Sequence, residues 1–76
     1  MEDREMARAK YYIKRQMEGK DSEELANFTR KDKAERFFNR LEKGSENITD
    51  RRMGYFKIDE FTMAGKMTTE YWIEKY

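Results

Sequence analysis

The sequence lacks cysteine, histidine and proline, and it also lacks valine. Without cysteine, disulfides, thiol chemistry and cysteine-ligated metals are excluded, and without histidine the chain has neither an imidazole base nor a histidine–zinc site. No apolar run approaches the roughly 18 residues that a membrane-spanning helix needs. The charged start of the chain, Met1–Glu5, has no apolar segment of a secretory signal behind it. We therefore expect a cytoplasmic protein that has no cofactor, no metal and no enzymatic activity.

Branched aliphatic side chains are scarce, with only two leucines and four isoleucines in 76 residues. Five tyrosines, five phenylalanines, six methionines and one tryptophan must supply most of the core. The net charge of +1 argues against an acidic mimic of DNA and against a strongly basic nucleic-acid coat protein. We expect a single small domain over residues 1–76, of which residues 1–7 form a flexible tail.

A helix is predicted over residues 30–43. Thr29 is a suitable N-cap, and Asp32 follows three residues later as in a capping box. The helix presents one apolar face and ends before Gly44. That face consists of Ala34, Phe37, Phe38 and Leu41.

Two strands are predicted before this helix. The first runs from Ala9 to Met17, where alternate residues line opposite faces and Tyr11-Tyr12-Ile13 is typical of a strand. A helical stripe within residues 6–17 is the alternative. Residues 18–21 form a hairpin loop, and Glu23 to Phe28 returns antiparallel. An earlier helix start at Asp21 is the alternative for this second segment.

Two more strands are predicted after the helix, beyond a polar loop at residues 45–52. The first runs from Tyr55 to Met63, and a bulge near Asp59-Glu60 would place Phe61 and Met63 on the same face as Phe56 and Ile58. After a turn at residues 64–66, the last strand runs from Met67 to Tyr76. The prediction is an α+β domain of order ββαββ, with one helix packed on one face of an antiparallel sheet.

Four aromatic side chains are predicted to lie on the sheet face that the helix leaves open, among several lysines and glutamates. Tyrosine and tryptophan are enriched at binding hot spots, so this face is the main candidate for partner binding. The alternative is that the rings only form cross-strand pairs that stiffen a thin sheet. The four residues are Tyr12, Tyr55, Trp72 and Tyr76.

A basic stripe is predicted beside the apolar face of the helix, where it could contact phosphates or an acidic protein surface. The alternative is a solvated helix face whose long side chains cover apolar surface. The stripe consists of Lys33, Arg36, Arg40 and Lys43.

Four segments together resemble the layout of small orphan proteins from phages and mobile elements, some of which are anti-CRISPR proteins. They are Lys10–Arg15, Leu25–Thr29, Lys33–Phe38 and Tyr71–Tyr76. The resemblance lies in element order and size, and it implies a stoichiometric inhibitor that docks on a host protein such as a CRISPR nuclease effector. A single-stranded nucleic-acid-binding protein is the first alternative, with Lys10, Lys14, Lys57 and the helix stripe on phosphates. A homodimeric structural or adaptor module is the second.

Overall fold

The computed structural model describes residues 10–76, and within that range the chain forms five strands and one helix in the order ββαβββ. All pairings in the single sheet are antiparallel, and the strand order across it is β2-β1-β5-β4-β3. The predicted α+β class, with one helix on an antiparallel sheet, is confirmed. The predicted tail at residues 1–7 lies outside the described residues. The elements are β1 (Tyr11–Met17), β2 (Glu23–Phe28), α1 (Lys31–Lys43), β3 (Ile48–Arg52), β4 (Tyr55–Thr62) and β5 (Gly65–Lys75).

Strand β1 settles the choice between strand and helix for the first segment. It pairs with β2 on one side and with β5 on the other, so all seven of its residues lie within the sheet. The helical alternative is therefore wrong over residues 11–17. The buried Ile13 faces the interior opposite Ile73, as the alternation of apolar and polar residues predicted.

Strand β3 was not predicted, because residues 45–52 were interpreted as a polar loop. Among residues 10–76 it is an edge strand that pairs only with β4, and Ile48 lies opposite the buried Ile58. A polar edge strand carries little apolar signal, because solvent covers its outer side. The chain order is therefore ββαβββ, one strand more than predicted.

The predicted bulge near Asp59-Glu60 is wrong. The β4–β5 register is unbroken from Tyr55 opposite Trp72 to Thr62 opposite Gly65. Because side chains alternate along an unbroken strand, Phe61 lies on the opposite face from Phe56 and is 83% exposed. The register shifts instead at two other places, in the β1–β2 and β3–β4 pairings.

The helix begins at Lys31, one residue later than predicted, and ends at Lys43. Its N-cap is Arg30 rather than Thr29, and no side-chain hydrogen bond caps it; the Arg30 guanidinium instead bonds to the Asp32 carboxylate. At the other end, the backbone N–H of Gly44 donates to the carbonyl of Arg40. The turn between β4 and β5 likewise lies at residues 63–64, earlier than predicted.

The core lies between the helix and one face of the sheet, as the apolar patterns predicted. The Phe56 ring, which is fully buried, stacks on Tyr71 at 4.7 Å and meets the edge of Phe38 at 5.2 Å between ring centroids. Phe28 and Phe37 form a further ring pair at 5.6 Å. The core therefore combines aromatic rings with aliphatic side chains. The expectation that methionine supplies much of it is wrong within residues 10–76, where no methionine belongs to the core. Its buried residues are Ile13, Ala34, Phe38, Phe56 and Ile58.

Candidate partner-binding face

The sheet surface that points away from α1, here called the open face, carries the predicted aromatic residues. Ile13, Phe56, Tyr71 and Ile73 point towards the helix, so their neighbours along β1, β4 and β5 point the other way. The neighbours on the open face include Tyr12, Tyr55 and Trp72. The structure therefore brings together three of the four predicted rings on three adjacent strands.

Tyr76 joins this group although it follows the last residue of β5. Its backbone N–H donates to the carbonyl of Lys10 at 2.9 Å, and its carbonyl accepts from the Lys10 N–H at 3.2 Å. These bonds continue the β1–β5 pairing by one step. The Tyr76 ring therefore meets the Tyr12 ring edge to face, with 5.1 Å between centroids.

A row of two rings between two cations crosses four strands of the open face. In register, Lys14 lies opposite Trp72, Trp72 lies opposite Tyr55, and Tyr55 lies opposite Arg52. The Arg52 guanidinium lies 4.6 Å from the centroid of the Tyr55 ring, and the Lys14 ammonium lies 5.9 Å from that of Tyr12. Cations at these distances are attracted to the ring faces, so Arg52 packs on Tyr55 and Lys14 packs on Tyr12.

Two glutamates of β5 hold the polar atoms of the rings. The Tyr55 hydroxyl donates to Glu70 at 2.7 Å, and the Trp72 indole N–H donates to Glu74 at 3.2 Å. The Tyr76 hydroxyl donates to the second oxygen of the Glu74 carboxylate. These bonds favour one orientation of each of the three rings.

These hydrogen bonds shift the pKa values of the groups that make them. The bond from Tyr76, followed by that from Trp72, lowers the pKa of Glu74, because both bonds favour the ionised carboxylate. Burial, followed by the bond to Glu70, raises the pKa of Tyr55. The bond to Glu74 raises the pKa of Tyr76. Glu74 is therefore ionised, and the phenols of Tyr55 and Tyr76 are neutral, at neutral pH.

We expect the fluorescence of Trp72 to report the protonation of Glu74. Because the pKa of Glu74 is lowered in the folded state, its stabilising bonds are present above the unfolded pKa and are lost as the pH falls through the folded pKa. The emission of Trp72, the sole tryptophan, should therefore change with a midpoint below the ordinary pKa of a glutamate. A pH titration of the folded protein measures this.

The Glu74→Gln variant is the control for that titration, because it keeps the side-chain shape and removes the ionisable group. The acidic step in Trp72 emission should be absent from the variant. The same step in both proteins, or a wild-type midpoint at or above the ordinary glutamate value, would contradict the assignment.

The open face is balanced in charge. Lys57 lies in register between Asp50 on one side and Glu70 on the other. Asp59 accepts a hydrogen bond from Thr68 at 2.8 Å and lies 3.8 Å from the Lys66 ammonium. Lys57, one of the lysines proposed as phosphate contacts, thus has a carboxylate on each side, which disfavours nucleic acid at this place on the face.

The predicted basic stripe lies on the other side of the molecule. Lys33, Arg36, Arg40 and Lys43 are exposed on α1, and the helix covers the sheet face opposite the open face. The aromatic rings and the helix cations therefore do not form one continuous site. The sequence placed the four cations on the helix and three of the four rings on strands, but it could not show that the sheet separates the two sets.

Sequence reasoning missed an exposed apolar arm at the β4–β5 turn, formed by residues 60–66. In the described residues, β3 pairs with β4 only as far as Ile58, and β1 pairs with β5 only from Thr69 onward. The arm is therefore a two-stranded ribbon, and Phe61 and Met63 are exposed on it. Between Ile58 and Phe61 the apolar residues switch from even to odd positions along β4. This switch was the sequence signal for the arm, and it means that the later apolar residues lie on the opposite face, not that the strand contains a bulge.

Asp59 and Glu60 point to opposite faces of β4 because the strand is regular there. Within residues 10–76, no three carboxylates lie together in an arrangement that could hold a metal ion. Over the same range, no helix has the length and apolar character needed to cross a bilayer.

Comparisons with protein-family models, with curated proteins and with solved structures found no match to this chain. The fold alone defines the class of this protein, a small α+β domain with one sheet face covered by the helix and one open face.

Proposed function

We propose that this chain is a non-enzymatic protein-binding domain and that the open face is its contact surface. The observation that carries this proposal is the cluster of rings spread over β1, β4 and β5 on the face that the helix does not cover. Tyrosine and tryptophan contribute more binding energy at protein interfaces than most residue types. The contact residues are Tyr12, Tyr55, Trp72 and Tyr76.

The hydrogen-bonded orientation of the rings favours binding. Glu70 and Glu74 hold the polar atoms of Tyr55, Trp72 and Tyr76, so these side chains have already lost much of their rotational freedom. Binding a partner then costs less conformational entropy than it would if these side chains were mobile in the free protein. Flat rings held this way supply contact area at low entropic cost.

The charges of the open face favour a protein partner over single-stranded nucleic acid. Lys57 lies between two carboxylates in register, and Glu70 and Glu74 lie beside the rings. If the bases of a single strand stacked on these rings, its phosphates would pass close to the same carboxylates and be repelled by them. A protein surface of mixed charge meets no such repulsion.

We further propose that the partner is a host protein and that the domain inhibits it by occupying a surface the host protein needs. The resemblance to small phage and mobile-element proteins makes a CRISPR nuclease effector the first partner to test. In that setting the protein would act in the cytoplasm of the host cell.

The test is capture of purified CRISPR effectors, and of proteins from a bacterial lysate, on immobilised wild-type protein and on two variants. Trp72→Thr should lose the captured protein, because it removes the central ring of the open face. Met53→Thr is the matched control, since Met53 is 98% exposed in the turn before β4 and borders the helix side. Equal capture by wild type and Trp72→Thr would contradict the proposal.

Two further measurements test the alternatives. Binding of a single-stranded oligonucleotide at low salt that is lost in Trp72→Thr would replace the protein partner by nucleic acid. A concentration-dependent mass in solution that the same substitution abolishes would show that the open face closes on a second copy.

A further inference from the structure

A second surface with different chemistry lies where α1 passes the edge of the sheet. Here Lys33, Arg36 and Arg40 border a shallow groove of about 180 Å³, and the rings of Phe28 and Phe37 also line it. We call these three cations the basic flank. The groove therefore combines aromatic side chains from β2 and α1 with three positive charges on the helix.

The groove continues around the end of β2. A neighbouring groove of about 430 Å³ shares Phe28 and Lys33 with the first, and Lys10 and Arg30 also line it. Five cations thus border the two grooves together. They belong to three different parts of the chain, so the fold, and not the helix pattern alone, assembles this charge.

The cations of the basic flank have no close counterion in the part of the chain that the structure describes. The three helix carboxylates lie close to other cations: Glu42 bonds to Arg51 at 2.8 Å, Asp32 bonds to Arg30, and Glu35 lies 4.0 Å from the Lys31 ammonium. Within residues 10–76, no carboxylate oxygen lies within 4.0 Å of Lys33, Arg36 or Arg40. The flank therefore presents net positive charge to a ligand.

The neighbouring strand favours a peptide as that ligand. Among residues 10–76, β2 is an edge strand of the sheet, so no strand in that range pairs with the backbone groups on its outer side. An extended peptide can pair with such an edge, whereas nucleic acid cannot.

We propose that the edge of β2 and the basic flank together bind an extended acidic peptide segment of a partner protein. Its carboxylates pair with Arg36 and Arg40, and an aromatic or branched aliphatic residue between them contacts Phe28 and Phe37. The acidic part of the peptide lies at the end of β2 near Phe28, away from Glu23. This surface is separate from the open face and does not depend on the function proposed for it.

The test uses a fluorescein-labelled eight-residue peptide with glutamates on both sides of a central phenylalanine. Fluorescence anisotropy should show binding to the wild-type protein that weakens with salt. A peptide with lysines in place of the glutamates should not bind. The double variant Arg36→Glu, Arg40→Glu should bind at least tenfold more weakly, and Lys57→Glu, which changes a charge on the open face, should bind as the wild type does.

Two outcomes would overturn the whole proposal, and a third, given last, would overturn the part that concerns pairing with β2. One is equal peptide affinity in the wild type and in the Arg36→Glu, Arg40→Glu variant. Circular dichroism verifies that this variant is folded. The other is tighter binding of a single-stranded oligonucleotide of equal charge, which would make the flank a phosphate site. Trp72→Thr should leave peptide binding unchanged, so failure here is distinguishable from failure of the open-face proposal.

Amide hydrogen exchange in β2 should slow when the peptide binds, and unchanged exchange there would contradict strand addition.

Discussion

Replacing Phe56 with alanine should lower the free energy of unfolding by about 3–5 kcal/mol, the usual cost of removing a buried phenylalanine ring. Phe56 is fully buried, and its ring contacts those of Phe38 and Tyr71, one from the helix and one from β5. The substitution would leave a cavity at the place where helix and sheet meet. It should cost more than removal of any exposed ring.

Phe61→Ala is the matched control, because it removes the same ring from the same strand. Phe61 is 83% exposed on the arm, so its removal should lower the free energy of unfolding by less than about 1 kcal/mol. Urea unfolding followed by circular dichroism measures both variants. An equal loss in the two would show that Phe61 is inside and that the register of β4 is different.

If the alanine variant does not fold in water, the free energy of unfolding can be measured on Phe56→Leu instead. Domains of this size have little stability to lose. Leucine fills most of the space of the ring, and the loss should be about 1.5 kcal/mol or somewhat more. A Phe56→Leu protein as stable as the wild type would contradict the central position of this ring in the core.

The second large effect concerns the affinity for a protein partner captured on the open face. The double variant Tyr12→Thr, Trp72→Thr should bind that partner at least about 30-fold more weakly, since the loss of one hot-spot ring costs about 2 kcal/mol or more. Threonine is chosen because it is well tolerated in strands. Isothermal titration calorimetry measures the affinity, with Met53→Thr as the control.

The unfolding free energy of the same variant must be measured beside its affinity. If the rings serve only as cross-strand pairs, the double variant should lose stability while the affinity per folded molecule stays the same. If they form the contact surface, the affinity should fall even under conditions where the variant is fully folded. The second result supports the open-face proposal, and the first contradicts it.

The parts of the fold with strong periodic patterns could be predicted from the sequence. The apolar face of α1 repeats at helical spacing, and the predicted and observed helices differ by one residue at the start. In β1 and β5, alternation correctly placed Ile13 and Ile73 inside and Tyr12 and Trp72 on the open face. These strands lie inside the sheet, where one face is buried and the pattern is enforced.

The sequence misled where strands lack neighbours. Edge strand β3 has only Ile48 as an apolar signal, and the arm beyond Ile58 leaves Phe61 exposed where a core position was expected. A rule that places phenylalanine inside fails on a ribbon that no other element of residues 10–76 covers. For the candidate sites, the sequence gives residues on each element but not which elements lie on the same side.

The most direct test of the open-face proposal is the NMR signal of the Trp72 indole N–H on addition of the captured partner. A ¹⁵N-labelled chain gives one such signal, because it contains one tryptophan, and the unlabelled partner adds none. We predict that this signal shifts or broadens in step with complex formation, while the amides of the exposed side of α1 stay unchanged. A Trp72 signal that does not move while the partner binds, with the changes confined to α1, would contradict the proposal.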